Sequence, residues 1–339
     1  MISVGSSVCV VMLSAIGDAV HVLPVLNAIK RHSPATRTTW ILQRGPAELV
    51  AGHPAIDELI VFDRARRLQS YYEVRRAVGK RRFDVLLDLQ PYLKAGLLTA
   101  IVPAETKLGF DFRRSRDFNW LFTNAKIPHV KGPRHVQDQY FEFLGPLGIN
   151  AEPVIWDLAP RAEERAWQTE FFAPIDRPVA ALVIGSSREP KNWSPEQWAA
   201  VADELTAEYG LAPVMVGGNS EREVATAHQI QILSRYPVRN ALGSGLRRLV
   251  GILDGSALVV SLDTGPLHMA VALDRPVISL IGYNDPIVFG PYRKYHDLIV
   301  NGFGEPSRRM KERRPDGMSH ITVPAVLDRV KLWRARYRP

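Results

Sequence analysis

Residues 8–32 read "VCVVMLSAIGDAVHVLPVLNAIKRH", and the fold turns on how this stretch divides. The apolar, β-branched run 8–13, closed by Ser14 and Gly17, reads as a buried parallel strand. The stretch after Asp18, "VHVLPVLNAIKRH", reads as a helix. The turn between them is a β-to-α crossover. Proline belongs in the first turn of a helix, where its missing N–H costs no hydrogen bond. Pro24 therefore predicts a helix start near residues 20–22, after Asp18. A carboxylate outside the helix, at the carboxyl end of a parallel strand, stands where open α/β sheets place ligands and catalytic groups. Helix capping is the competing role. Asp18 is thus a candidate catalytic residue.

The same alternation extends outward. Strand-like runs at 8–13, 38–42, 58–62 and 85–89 are separated by helical stretches, the pattern of a parallel sheet wrapped by helices. After the polar, proline-punctuated segment "DLAPRAEERAWQTEFFAPIDRP" (157–178) a second series begins: "VAALVIG", "APVMVGG", "ALVVSLD" and "PVISLIG". The expectation is an α/β chain of two Rossmann-like doubly wound domains facing each other across a cleft that holds the ligand. Their expected bounds are 1–158 and 177–322, with 159–176 as a linker region containing a helix. The stretch 304–319, "GEPSRRMKERRPDGMS", is polar enough to be a mobile loop.

With 339 residues, 46% of them hydrophobic, the chain can bury two cores. No run of about 18 apolar residues is present, and the first apolar run lacks a preceding Lys or Arg, unlike a signal peptide. The cytoplasm is the expected location. The single cysteine, Cys9, falls inside the first strand and reads as core. The formal net charge of +8 points to an anionic partner. Arg64, Arg66, Arg67, Arg75, Arg76, Lys80, Arg81 and Arg82 crowd one stretch. Arg113, Arg114 and Arg116 form a second cluster, and Arg308, Arg309, Lys311, Arg313 and Arg314 a third. Each also fits a solvated face.

The second half carries the marks of a nucleotide site. "SLDTGPLHMAVAL" (261–273) repeats strand, turn and helix, with Pro266 in the helix's first turn. Backbone N–H groups and the helix dipole there would face an anion, with Asp263, Thr264 and Gly265 in the turn and His268 as a further donor. The competing reading makes Asp263 a cap and His268 a packed surface side chain. "IGSSREPKNWSPEQW" (184–198) sets Ser186 and Ser187 at a strand end and Lys191 ahead of a helix capped by Ser194. "VGGNSEREV" (216–224) places Glu221 where it would accept from ribose hydroxyls or improve a helix's first turn. The chain has no Asp-x-Asp, no histidine pair at metal-ligand spacing, and no G-x-G-x-x-G in its first turn. No metal or cofactor is expected.

These motifs, with "FDVLLDLQPYLKAG" (83–96), "GFDFRRSRDF" (109–118) and "DTGPLHMAVALDRPVISLIGYNDPIVFGPY" (263–292), resemble glycosyltransferase family 9. Its members are ADP-heptose:lipopolysaccharide heptosyltransferases with a GT-B fold, and the resemblance is strongest to the type I enzymes. It implies ADP-heptose as donor, inversion at the anomeric carbon, and Asp18 as general base. It implies that Ser186, Ser187, Lys191, Glu221, Asp263, Thr264, Gly265 and His268 bind the nucleotide sugar. Arg64, Arg66, Arg67, Lys94 and Arg116 would bind the carboxylates and phosphate of a Kdo-containing acceptor, as guanidinium forks suit. The resemblance also implies that the final basic helix, 323–339, crosses back onto the first domain. A lipid-anchored acceptor implies transient contact with the cytoplasmic face of the inner membrane, supplied by surface charge. The aromatics of "DFNWLF" (117–122) either dip into that membrane interface or, the favoured expectation, pack against the N-terminal sheet. Two departures, "DLQP" for D-x-Q-G and "GYNDP" for G-P-T-D-P, leave open another nucleotide sugar or acceptor, as in type II or III enzymes. A non-catalytic nucleotide- or nucleic-acid-binding protein is the alternative from a different class.

Overall fold

The computed structural model describes residues 2–307 and 312–338. Arg308, Arg309 and Lys311 of the third basic cluster lie outside the described residues. The chain divides into two compact units, Met1–Lys131 with Val136–Asp157, and Gly132–His135 with Leu158–Pro339.

In the first unit strands and helices alternate from the start: β1 (Ser7–Val11), α1 (Ile16–His32), β2 (Arg37–Leu42), α2 (Arg44–Val50), β3 (Glu58–Val61) and α3 (Leu68–Val78). They continue through β4 (Phe83–Asp88), α4 (Leu93–Ile101), β5 (Ala104–Gly109), the short β6 (Ala125–Lys126) and α5 (Val136–Phe141). All six strands are parallel, in the order β3-β2-β1-β4-β5-β6. Helices cover both faces of such a sheet, so its central strands are largely apolar. Val8 to Val11 and Val85 to Leu87 are fully buried, and burial pushes the Cys9 thiol well above its ordinary range.

The second unit repeats the plan. It holds α6 (Ala162–Phe172), β7 (Val179–Val183), α7 (Pro195–Ala207), β8 (Ala212–Val216), α8 (Glu221–Leu233), β9 (Arg239–Asn240) and α9 (Leu246–Gly255). Then come β10 (Leu258–Leu262), α10 (Gly265–Ala272), β11 (Val277–Ile281), α11 (Pro286–Phe289), β12 (Ile299–Asn301) and α12 (Val323–Tyr337). The strand order is β12-β11-β10-β7-β8-β9, again parallel. In each sheet the order reverses once, between β1 and β4 and between β7 and β10. Ligands bind open α/β sheets at the carboxyl ends of the strands flanking such a reversal.

Several expectations change. Helix α1 begins at Ile16, so Asp18 is in its first turn, and Pro24 lies inside the helix and leaves the Val20 carbonyl without its usual donor. The capping interaction at Ala15 starts the helix earlier than the proline suggested. The expected linker 159–176 contains α6, which packs on α9, with Arg247 donating to both Glu164 oxygens. It belongs to the second unit. So does α12, whose Val326, Val330 and Trp333, spaced four and three apart, are buried in contact with α7, β11 and β12. Arg329 Nε donates to the Ile299 carbonyl and Arg336 pairs with Asp297. This apolar seam joins the helix expected to cross to the first domain to the second unit's own sheet. The described flanks of 304–319 are also fixed: Ser307 is buried, Asn284 and Arg313 form a β-bridge, and Gly317 packs on Gly282.

A Cβ added at Gly317 would overlap the Gly282 carbonyl oxygen, a backbone atom that cannot swing away. Gly317→Ala is therefore expected to destabilise the second unit by about 3 kcal/mol, as overpacking does. Urea melts of the two proteins would reveal it as a lowered midpoint.

Candidate active site

At the reversal of the first sheet, the carboxyl ends of β1 and β4 lie side by side, with Val11 opposite Asp88. Asp18 is half-buried in the first turn of α1. Its Oδ2 accepts from the Ala15 N–H at 2.8 Å and its Oδ1 from the Tyr140 hydroxyl at 2.7 Å. Asp18 does take the capping role, and its carboxylate sits at the carboxyl edge of the sheet, beside the reversal. Tyr140, on α5, is buried, and burial together with the Asp18 carboxylate holds its phenol well above the usual range. It stays a donor at any working pH. One turn onward on α1 and one turn back on α5, His21 Nδ1 meets Gln137 Oε1 at 2.9 Å, and the Gln137 amide donates to the His21 carbonyl. Burial lowers the His21 pKa to about 4, so the ring is neutral.

The Ser14 turn ahead of Asp18 is held from β4. Gln90 accepts from the Leu13 N–H at 3.0 Å and donates to the Ser14 carbonyl at 2.9 Å. Asp88, fully buried, accepts from Thr99 and Asn119 side chains at 2.9 Å each and from the Gln90 N–H at 3.4 Å. Burial pushes its pKa up to about 7 against the pull of those donors. Asn119 also donates to the Gln90 and Tyr92 carbonyls, closing the loop after β4.

The basic residues of the first unit follow the same sheet edge. Arg64 and Arg66 form a 3-10 turn after β3 with Arg67 next, Lys94 is in the first turn of α4, and Arg116 donates its N–H to the Pro91 carbonyl. All five are exposed. Arg66 is engaged by Glu73 at 2.6 Å and lies 3.8 Å from Asp63. The "DFNWLF" segment departs from expectation in part: Asn119 is its fully buried member, Trp120 and Phe122 are half-buried with the Phe122 ring against Gly96 of α4, and Phe118 and Leu121 face solvent. The aromatic ring that Trp120 meets is the exposed Phe112, at 5.2 Å. The buried polar Asn119 takes the place in the sheet edge that an aromatic was expected to fill.

At the reversal of the second sheet, Lys191 and Asp263 meet across β7 and β10. The Lys191 ammonium donates to the Asp263 carbonyl and to its Oδ2, both at 2.9 Å, and Asn284 donates to the same oxygen at 2.6 Å. Asp263 is buried, and the cap of α10 is Thr264 rather than Asp263. Gly265 and His268 follow in the first turns of α10, with His268 buried. Ser186 donates its N–H to Asn192 Oδ1, Ser187 is exposed beside it, and Ser194 caps α7 as its sequence indicated. Glu221 stands exposed at the start of α8. The carboxylate drawn into the edge is Glu223, which accepts from the Gly218 N–H at 2.8 Å and the Ser220 hydroxyl at 2.6 Å. A side chain at Gly185 would overlap it. Its local signal was the Ser-x-x-Glu spacing of a capping box, Ser220 to Glu223. Gln90 and Asn284 lay within quoted motifs, whereas Tyr140, 122 positions from Asp18, had no local signal.

The geometry defines a two-unit α/β protein with polar groups gathered at both sheet reversals. The family model for glycosyltransferase family 9 (heptosyltransferase) matches residues 71–317. The chain is 30% identical over 340 residues to the lipopolysaccharide core heptosyltransferase OpsX of Haemophilus influenzae, covering 96% of each. It is 26% identical over 299 residues to lipopolysaccharide heptosyltransferase 1 of Escherichia coli K12, covering 85% of this chain and 91% of that one. Among solved structures, a family 9 glycosyl transferase from Veillonella parvula superposes with a TM-score of 0.84 at 22% identity, over 96% of both chains. E. coli heptosyltransferase WaaC with ADP gives 0.75 at 24%, over 96% of this chain and 99% of that one. The chain belongs to glycosyltransferase family 9, the heptosyltransferases, and its fold is the GT-B fold. It is a glycosyltransferase.

The raised Asp88 pKa has a consequence for stability. The folded state keeps the proton up to about pH 7, whereas the unfolded chain releases it near pH 4. Between those values the unfolded state binds fewer protons, so this group's contribution falls as pH rises and levels off above 7. Urea titrations from pH 4 to 8 are expected to show that decline in the wild type and a flatter profile in Asp88→Asn.

Proposed function

We propose that the protein transfers heptose from ADP-heptose to the Kdo region of the lipopolysaccharide inner core, with inversion, without a metal ion, and with Asp18 as general base. The observation that carries this reading is the Asp18 carboxylate at the β1 edge, oriented by Tyr140 and by the Ala15 N–H. A carboxylate oxygen accepts from more than one donor, so a carboxylate oriented in this way can still take the hydrogen of an acceptor hydroxyl. As the hydroxyl oxygen attacks the anomeric carbon, its proton passes to Asp18 while the bond to ADP breaks on the opposite face. Asp18 then returns the proton to water.

The second unit would bind the donor. Ser186, Ser187, Thr264, Gly265 and His268 lie at the ends of β7 and β10, where the N–H groups of α10 suit a diphosphate. Lys191 would neutralise the charge that develops on the departing ADP. Its ammonium is already shared with Asp263, so the carboxylate serves to aim it. Glu223, with Glu221 beside it, would face the ribose. Lys191 and the N–H groups of α10 would together supply the charge neutralisation that a metal ion gives elsewhere. Arg64, Arg67, Lys94 and Arg116 would hold the acceptor's anionic groups; Arg66, held by Glu73, would act from behind them. The acceptor's lipid anchor would put the reaction at the cytoplasmic face of the inner membrane. No described helix is long and apolar enough to cross one.

With ADP-heptose and Kdo2-lipid A in EDTA, the wild type is expected to add one heptose, read by mass spectrometry. Asp18→Asn should lose on the order of 10²–10⁴-fold in rate while still binding ADP by calorimetry. Transfer by Asp18→Asn at the wild-type rate would remove Asp18 as base, and a requirement for a divalent ion would end the metal-free reading.

Tyr140→Phe removes a hydrogen bond to the ionised form of Asp18 and so raises its pKa. The base must be ionised to act, so the acidic limb of the kcat/KM profile should move to higher pH than in the wild type.

A further inference from the structure

The first unit exposes large apolar side chains on the same edge that carries its basic residues. Leu68 is 82% exposed and Tyr72 68%, one turn apart on α3; Phe118 is 71% exposed and Leu121 59%, around the 3-10 turn Asn119–Phe122. Leu93 and Leu97, one turn apart on α4, and Phe112 are exposed as well. These groups are neighbours: α3 packs on α4, α4 packs on the 119–122 turn, and Tyr71 reaches the Lys94 carbonyl. Leu68 and Leu93 are the first residues of helices that follow β3 and β4, and the 119–122 turn follows β5. All of them therefore gather at the carboxyl edge of one parallel sheet.

Phe118 is held outward. It and Asp117 adopt left-handed backbone conformations, φ 59° and 49°, that side chains other than Gly, Asn and Asp seldom take. On either side the chain is anchored by the buried Asn119 and by the Arg116 N–H bond to Pro91. The loop thus spends conformational strain to present an aromatic ring to water.

Charge surrounds this surface. The segments 64–76 and 112–121 contain eight arginines against two acids, Glu73 and Asp117. Arg64, Arg67, Arg76, Arg113 and Arg116 are exposed, and Glu73 is engaged by Arg66. Contiguous apolar side chains rimmed by arginines match the interface of an anionic bilayer, where rings and leucines enter the headgroup boundary and guanidiniums meet phosphates.

We propose that Leu68, Tyr72, Leu93, Leu97, Phe118 and Leu121 insert into an anionic lipid surface that the surrounding arginines attract. This deepens the proposed function, resting on it only for the lipid-anchored acceptor; binding to bare bilayers does not require that reading. It extends to α3 and α4 the interfacial contact weighed for 117–122, and adds apolar insertion to surface charge.

The test is sedimentation of the full chain with vesicles of phosphatidylglycerol and phosphatidylethanolamine, compared with phosphatidylcholine alone. The wild type should bind the anionic vesicles and not the neutral ones, and binding should persist in part at 0.5 M salt, where exposed charge is screened. Phe118→Ser with Leu121→Ser should weaken partitioning by about tenfold or more. Transfer to an acceptor stripped of its acyl chains should remain at the wild-type rate, and circular dichroism should show both proteins folded. Leu68→Ser with Tyr72→Ser gives an independent pair. Vesicle binding unchanged in both double variants, or binding abolished by salt alone, would overturn the proposal. Self-association removed by the same substitutions, without vesicle binding, would assign the surface to a second copy of the chain instead. Failure of transfer by the wild type with vesicle binding intact would count against the proposed function and leave this inference standing.

Discussion

Two sheets made only of parallel strands impose the constraint on which the rest of this structure depends. Such sheets are buried on both faces, so their central strands hold almost nothing but Val, Leu, Ile and Ala. Charged side chains gather at strand ends, and at the point where strand order reverses two such ends open side by side without a crossing helix above them. Asp18 and Gln90 occupy one reversal, Lys191 and Asp263 the other. The family's motifs are the sequence expression of that confinement.

Both edges are built as paired supports rather than as isolated functional side chains. Gln90 ties the β1 turn to β4 by donating on one side and accepting on the other, and buried Asp88 and Asn119 tie Gln90's own backbone. In the second unit Asn284 and Lys191 converge on Asp263 from β11 and β7. A buried ion pair is weak evidence for stability, because desolvation offsets much of its attraction. Its service here is to fix where an ammonium points.

How far the sequence was legible depended on range. Alternating strand and helix signals, the turn carrying Asp18, the Ser194 cap and the "DTGPLH" helix start were all written in neighbouring residues. The start of α1 departs from the expectation because proline's preference for a first turn is a local tendency, which the cap at Ala15 and burial of the helix from Ala19 to Ile29, Asn27 apart, override. Glu221 and Glu223 share one helix turn, and which of them packs at the strand end rests on the approach of Gly185, 36 residues or more away in sequence. The "DFNWLF" aromatics pointed inward by composition, yet the seat at the sheet edge went to Asn119, whose amide satisfies three acceptors an aromatic would leave bare.

By itself the sequence determined that this is a two-part α/β chain of the heptosyltransferase family, with its polar motifs at strand ends. Periodicity and turn residues are short-range properties, and they specify which segments become strands and helices. Only the tertiary structure decided that Tyr140 holds Asp18 from 122 residues away, that α6 and α12 belong to the second unit, and that leucines and aromatics stand out among the arginines. Those outcomes arise from competition among distant segments for the same buried volume and the same hydrogen-bond donors, and no single stretch of sequence contains both competitors.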